Sequence, residues 1–100
     1  MRPLFVPLRA CHFDAFRSGV KRIEWRAYGA RWNRQTAHRG RPVTLSLGYS
    51  GPRLSGVVVR ARKVRAALAP LIAREIYPDA VYLCSIHVAL SEGIASKARA

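Results

Sequence analysis

Acidic residues are scarce in this chain: Asp14, Glu24, Glu75, Asp79 and Glu92 stand against 18 Lys and Arg. Glu24 is the only negative charge from Ala15 to Arg74, a stretch carrying fourteen Lys or Arg. Cysteine is almost absent. Cys11 and Cys84 make no disulfide framework, and neither has a second Cys or His at zinc-finger spacing, so both read as buried free thiols and no metal site is expected. Long apolar runs are missing too. No stretch approaches the roughly 18 residues of a membrane span, so no membrane partner is expected. The segment Met1-Arg2-Pro3-Leu4-Phe5-Val6-Pro7 has a short apolar stretch broken by Pro3, Pro7 and Arg9, unlike a secretory h-region, and the chain reads as cytoplasmic. No internal repeat occurs. One domain over residues 1–92 is expected, with a frayed tail over 93–100 that lacks apolar periodicity.

What is present is a hydrophobic half and a large excess of arginine. Half the residues are apolar, enough for a packed core. Arg accounts for fifteen of the eighteen basic residues. Its planar fork pairs bidentately with phosphate and stacks on bases, so a polyanionic partner is the first expectation. A genome rich in Arg codons would raise the charge without any such partner. Composition leaves both open.

Local patterns divide the chain into short elements. Leu4–Leu8 is apolar and Pro-flanked, as an edge strand is. Phe13 and Phe16 stand at helical spacing in Cys11–Arg17, and Ser18-Gly19 stops that helix. Lys21–Tyr28 reads as a strand with Arg22, Glu24, Arg26 and Tyr28 on one face and Lys21, Ile23 and Trp25 on the other. Trp25 is assigned to the core. Residues 29–41 form a long polar connection with Trp32 and Asn33, of a length usually functional or mobile. Pro42–Leu47 and Leu54–Arg62 read as a hairpin around Gly48-Tyr49-Ser50-Gly51-Pro52, with Val57, Val59 and Ala61 facing inward. Leu68, Leu71, Ile72 and Ile76 then follow helical spacing, with Pro70 in a first turn. Val81–Val88 is the last strand. The fold class is α+β: four to six largely antiparallel strands in a small, partly closed barrel, with one or two short helices plugging its ends.

One constellation stands out. Gly19-x-Lys21-x-x-Glu24-x-Arg26 follows an aromatic helix (Phe13, Phe16) and precedes Gly40, the Val-rich strand Val57–Val59 and the closing strand Val81-Tyr82-Leu83. In motif and element order, roughly residues 4–90 resemble the ASCH domain family, relatives of the PUA fold. The resemblance implies a PUA-like β-barrel whose cleft is lined by the motif. It also implies RNA binding, with a few family members acting as ribonucleases or as amidohydrolases on acetylated cytidine. The amidohydrolase group carries Thr where this chain has Glu24, and it uses a later carboxylate, whereas Ser50–Arg74 contains no acid. That activity is disfavoured.

Read without the family, Glu24 is a carboxylate among cations, able to orient Lys21 and Arg26 toward a ligand. An internal salt bridge that merely locks the barrel is the competing account. Lys21 and Arg26 are candidates for phosphate, and Tyr28 or Trp32 for base stacking. Arg22, Arg31, Arg34, Arg60 and Arg62 complete a candidate nucleic-acid-binding set. Were the chain an enzyme, Lys21 and Glu24 would be its catalytic residues, in a metal-independent ribonuclease or another enzyme acting on RNA or nucleosides. The expected partner is RNA or single-stranded nucleic acid, with no cofactor. Oligomeric state is not legible. Of the histidines, His87 is the one that strand alternation can bring to the cleft, a surface or hydrogen-bonded core position being the alternative.

Overall fold

The computed structural model describes residues 2–91; the expectation of a frayed tail over 93–100 concerns residues outside that range. Five strands form one sheet: β1 (Leu4–Leu8), β2 (Ile23–Ala27), β3 (Pro42–Leu47), β4 (Arg53–Arg65) and β5 (Tyr82–Leu90), in the order β1-β3-β4-β5-β2. β1 pairs parallel with β3, and the other three pairings are antiparallel. The sheet curls into a half-barrel and leaves β1 and β2 as its two edges. Helix α1 (Ala10–Arg17) follows β1, and helix α2 (Leu71–Ile76) precedes β5. The class is thus α+β with a barrel-like sheet and two short helices. No helix among the described residues is long and apolar enough to cross a membrane.

The main core fills the concave face. Leu4, Val6, Leu8, Val43, Leu45, Val58, Cys84, Ile86 and Val88 supply the sheet side, and Phe13 and Phe16 bring α1 against it. The phenylalanines lie on one helix face three residues apart, as their spacing predicts. β4 departs from simple alternation. Val58 is buried, while Val59 is 48 % exposed, because a β-bulge between Val58 and Arg60 inserts one residue. The inward set expected for β4 is therefore corrected: Val58 replaces Val57 and Val59. Ala61 regains the inward side beyond the bulge, where it pairs with Ile86, and Arg60 and Arg62 are exposed. Gly56 lets β4 and β5 approach; a Cβ there would lie 2.6 Å from the Ala89 carbonyl oxygen.

A smaller cluster occupies the convex face, where Leu83 points because its neighbour Cys84 faces the main core. Ala69 and Ala73 pack there, with Trp25, Val64, Tyr77 and Ala80 around them. This corrects two expectations. α2 covers part of the outer face instead of plugging a barrel end, and Trp25 is only partly buried beneath it. The helical pattern from Ala66 is also interrupted: Ala66–Leu68 is a 3-10 turn, and Pro70 caps α2 from outside in an extended conformation. The small Ala69 and Ala73 make the contact, while Leu68, Leu71, Ile72 and Ile76 stay exposed. Cys84 is buried but Cys11 is exposed, correcting its assignment as a buried thiol.

The long connection over residues 29–41 is held by its own hydrogen bonds. The Asn33 amide donates to the Gly29 and Ala30 carbonyls at 2.8 and 3.1 Å, and its Oδ1 accepts from the Gln35 and Thr36 N–H groups at 2.8 and 2.9 Å. This knot sets Ala37 and Trp32 against the main core.

Candidate functional site

Gly19 has φ +86°, a left-handed conformation that favours glycine, and it turns the chain back over α1. The Lys21 N–H donates to the Ala15 carbonyl at 2.9 Å, so Lys21 returns beside the helix it has just left. Its Nζ lies 3.0 Å from His12 Nδ1 and 5.6 Å from the centre of the Phe16 ring. Strict alternation from Lys21 misplaces this side chain. The strand begins only at Ile23, so Lys21 belongs to the turn and joins the face of Glu24.

Glu24 pairs with Ile86, whose side chain is in the core, and is itself 6 % exposed. A buried carboxylate requires partners for both oxygens. Oε1 accepts from Lys21 Nζ at 3.1 Å and Oε2 from Arg26 Nε at 2.8 Å. Arg26 then donates from Nη2 to the Pro7 carbonyl oxygen at 2.7 Å, bridging from β2 to β1. Its guanidinium also lies 4.6 Å from the centre of the Trp32 ring. One side chain thus joins the two sheet edges, and the internal ion pair considered as a competing account is present.

Around this seam lies a cavity of ≈ 430 Å³, lined by Pro7, Leu8 and Arg9 from the β1 end, His12 from α1, the motif residues of β2, and Ile72, Ile76 and Tyr77 from α2. One wall is cationic (Arg9, Lys21, Arg26) and the opposite one apolar. His12 is held below its usual value by burial and then by the Lys21 charge, with Glu24 opposing, so it is neutral at pH 7. Lys has donors only, so His12 Nδ1 accepts its bond and the ring proton sits on Nε2. Tyr77 is pushed up by burial and remains a phenol.

The other sequence candidates are elsewhere. Arg22, Arg60 and Arg62 are exposed. Arg60 and Arg62 pair opposite His87 and Ser85 on the convex face, and both lower the His87 pKa after burial does. His87 does not line the seam cavity but a second one of ≈ 370 Å³, with Arg22 and with Lys21, which borders both. Tyr28 packs on the main core and has Lys63 Nζ 5.0 Å from its ring centre, and the Arg34 N–H meets its hydroxyl at 3.4 Å. Trp32 carries both Arg26 and Arg31, the latter at 5.1 Å, and packs as a lid on the core. Sequence reasoning missed Arg9, His12 and Tyr77. His12 sits nine residues from Lys21 across a helix and a turn, a proximity no local period announces.

Chemically, the cavity offers donors. Both Glu24 oxygens, His12 Nδ1 and the Pro7 carbonyl are all engaged, which leaves Lys21, Arg26 and His12 Nε2–H to meet an incoming acceptor. Burial raises the Cys84 thiol to about 11, which makes it inert as a nucleophile. No group of three His, Cys, Asp or Glu among the described residues could hold a metal ion. Comparison of the chain with protein-family models, curated proteins and solved structures gives no match.

Proposed function

We propose that the chain is an RNA-binding module of the PUA-like, ASCH type, and that the seam cavity receives a nucleotide. The observation that carries this reading is the clamp on Glu24. A single buried carboxylate fixes two cations, Lys21 and Arg26, at the mouth of a cavity whose other wall is apolar. Phosphate oxygens are acceptors and suit the donors; a base face suits Ile72, Ile76 and Tyr77. A lock without a ligand accounts for Lys21 and Arg26 on the two Glu24 oxygens, but it does not require a cavity beside them with Arg9 as a third cation in its lining.

Binding is favoured over catalysis because the basic acceptors of the cavity, both Glu24 oxygens and His12 Nδ1, already accept from Lys21 or Arg26, and Tyr77 is an un-ionised phenol. Cleavage of RNA without a metal requires a base to take the 2′-OH proton. The expected outcome is that the protein shifts a single-stranded RNA at ~0.05 M salt and releases it near ~0.5 M. Lys21→Ala should weaken binding and reduce the slope of log affinity against log salt by about 0.7, the value for one phosphate on a single strand. Affinity indifferent to salt would defeat the electrostatic reading. In EDTA the labelled RNA should stay intact over hours of incubation. Cleavage abolished by Lys21→Ala or His12→Ala would instead make the cavity an active site.

A further inference from the structure

The cavity does not end at Arg26. A second groove, ≈ 550 Å³, shares Pro7, Leu8, Arg9 and Arg26 with it and runs to Gly48 and Tyr49 in the turn between β3 and β4. Tyr49 is 75 % exposed, yet its setting is fixed. The Gly48 N–H donates to the Leu8 carbonyl at 2.9 Å, tying the turn to the lip of the cavity. Arg53 donates to the Tyr49 carbonyl at 3.3 Å, and the Tyr49 ring lies 6.2 Å from the Phe5 ring. No acid lines the groove, and its two charged residues are both arginines.

We propose that Tyr49 is the stacking platform for a second nucleobase of a single-stranded RNA, one step along the chain from the nucleotide in the seam cavity. This deepens the RNA-binding reading and rests on it. The phosphate between the two nucleotides falls to Arg9 and Arg26, the cations that both hollows share. An aromatic face accepts any base, so the subsite extends the footprint and lends little sequence preference. It also assigns a role to a residue that the sequence marks only as part of a turn.

The test compares wild type, Tyr49→Ala, Tyr49→Phe and Lys21→Ala binding to uridine monophosphate and to a fluorescein-labelled uridine octamer. Tyr49→Ala should weaken the octamer by about tenfold, the usual range for one lost stack, with an unchanged salt slope because no charge is removed. Tyr49→Phe should retain octamer affinity, and the mononucleotide should be indifferent to either change. Melting curves matching wild type exclude a folding defect in this exposed turn. Equal octamer affinity in Tyr49→Ala and wild type overturns the subsite, as does a loss that Tyr49→Phe shares in full. Lys21→Ala separates the two proposals: if it abolishes binding of both ligands while Tyr49→Ala does nothing, the cavity reading stands alone. If Tyr49→Ala weakens the octamer and Lys21→Ala does not, the subsite stands and the cavity reading falls. A wild type that binds neither ligand overturns both.

Discussion

Glu24→Gln should cost about 3 kcal/mol or more of stability, read as a shift of the urea midpoint. The Glu24 side chain is 8 % exposed, and its cations are 20 % and 16 % exposed at Lys21 and Arg26. Removing the carboxylate's charge leaves two desolvated cations facing one neutral amide, and breaking a buried pair from one side typically costs 3–5 kcal/mol. For a domain of this size that is a large share of the ~5–15 kcal/mol total, and Tm should fall by about 12 °C or more. The internal control is Asp14→Asn. The Asp14–Arg17 pair is equally short, at 2.9 Å, but its side chains are 59 % and 47 % exposed, so its loss should stay below about 1 kcal/mol. If both substitutions cost the same, Glu24 is screened by water and the clamp is not a structural unit.

Arg26→Lys should be the most damaging change that conserves charge. The guanidinium makes two directed bonds at once, Nε to Glu24 and Nη2 to the Pro7 carbonyl, while lying over Trp32. An ammonium is a point charge on a flexible stem and reaches one of these partners, not both. Losing one charge-assisted hydrogen bond costs about 1.5–3 kcal/mol. The lost contact is the one that joins β2 to β1, so the seam should loosen locally, with amide exchange rising in β1 and the start of α1. RNA affinity should drop although net charge is unchanged. A variant indistinguishable from wild type in exchange and in RNA binding would mean that charge alone is what position 26 supplies.

The elements were legible because their causes are local. The Pro-flanked apolar run of β1, the Phe13/Phe16 spacing of α1 and the Gly48-to-Pro52 turn each reflect steric or solvation preferences acting over a few residues. The motif was legible in the same way: Gly19 is required by its own φ, and Glu24 and Arg26 share a strand face by period two. Failures came where a single residue altered the count. The bulge at Val59 reversed the parity of β4, and the late start of β2 moved Lys21 to the Glu24 face. The outer helix misled for another reason. Its large apolar residues follow helical spacing, but the close approach to the sheet at Leu83 admits only the small Ala69 and Ala73.

The sequence alone therefore determined the class of elements, their order, the excess of arginine and the central position of Glu24 among cations. Tertiary structure decided what that carboxylate is for. The Arg26–Pro7 bridge spans nineteen residues of chain and exists only because parallel β1–β3 pairing brings the free edge of β1 round to β2. His12 reaches Lys21 through a helix and a left-handed turn, and Tyr49 reaches the adjoining groove through the Gly48 bond to Leu8. Such contacts follow from how the sheet curls, a property of all its strands together, and no window of neighbouring residues encodes it.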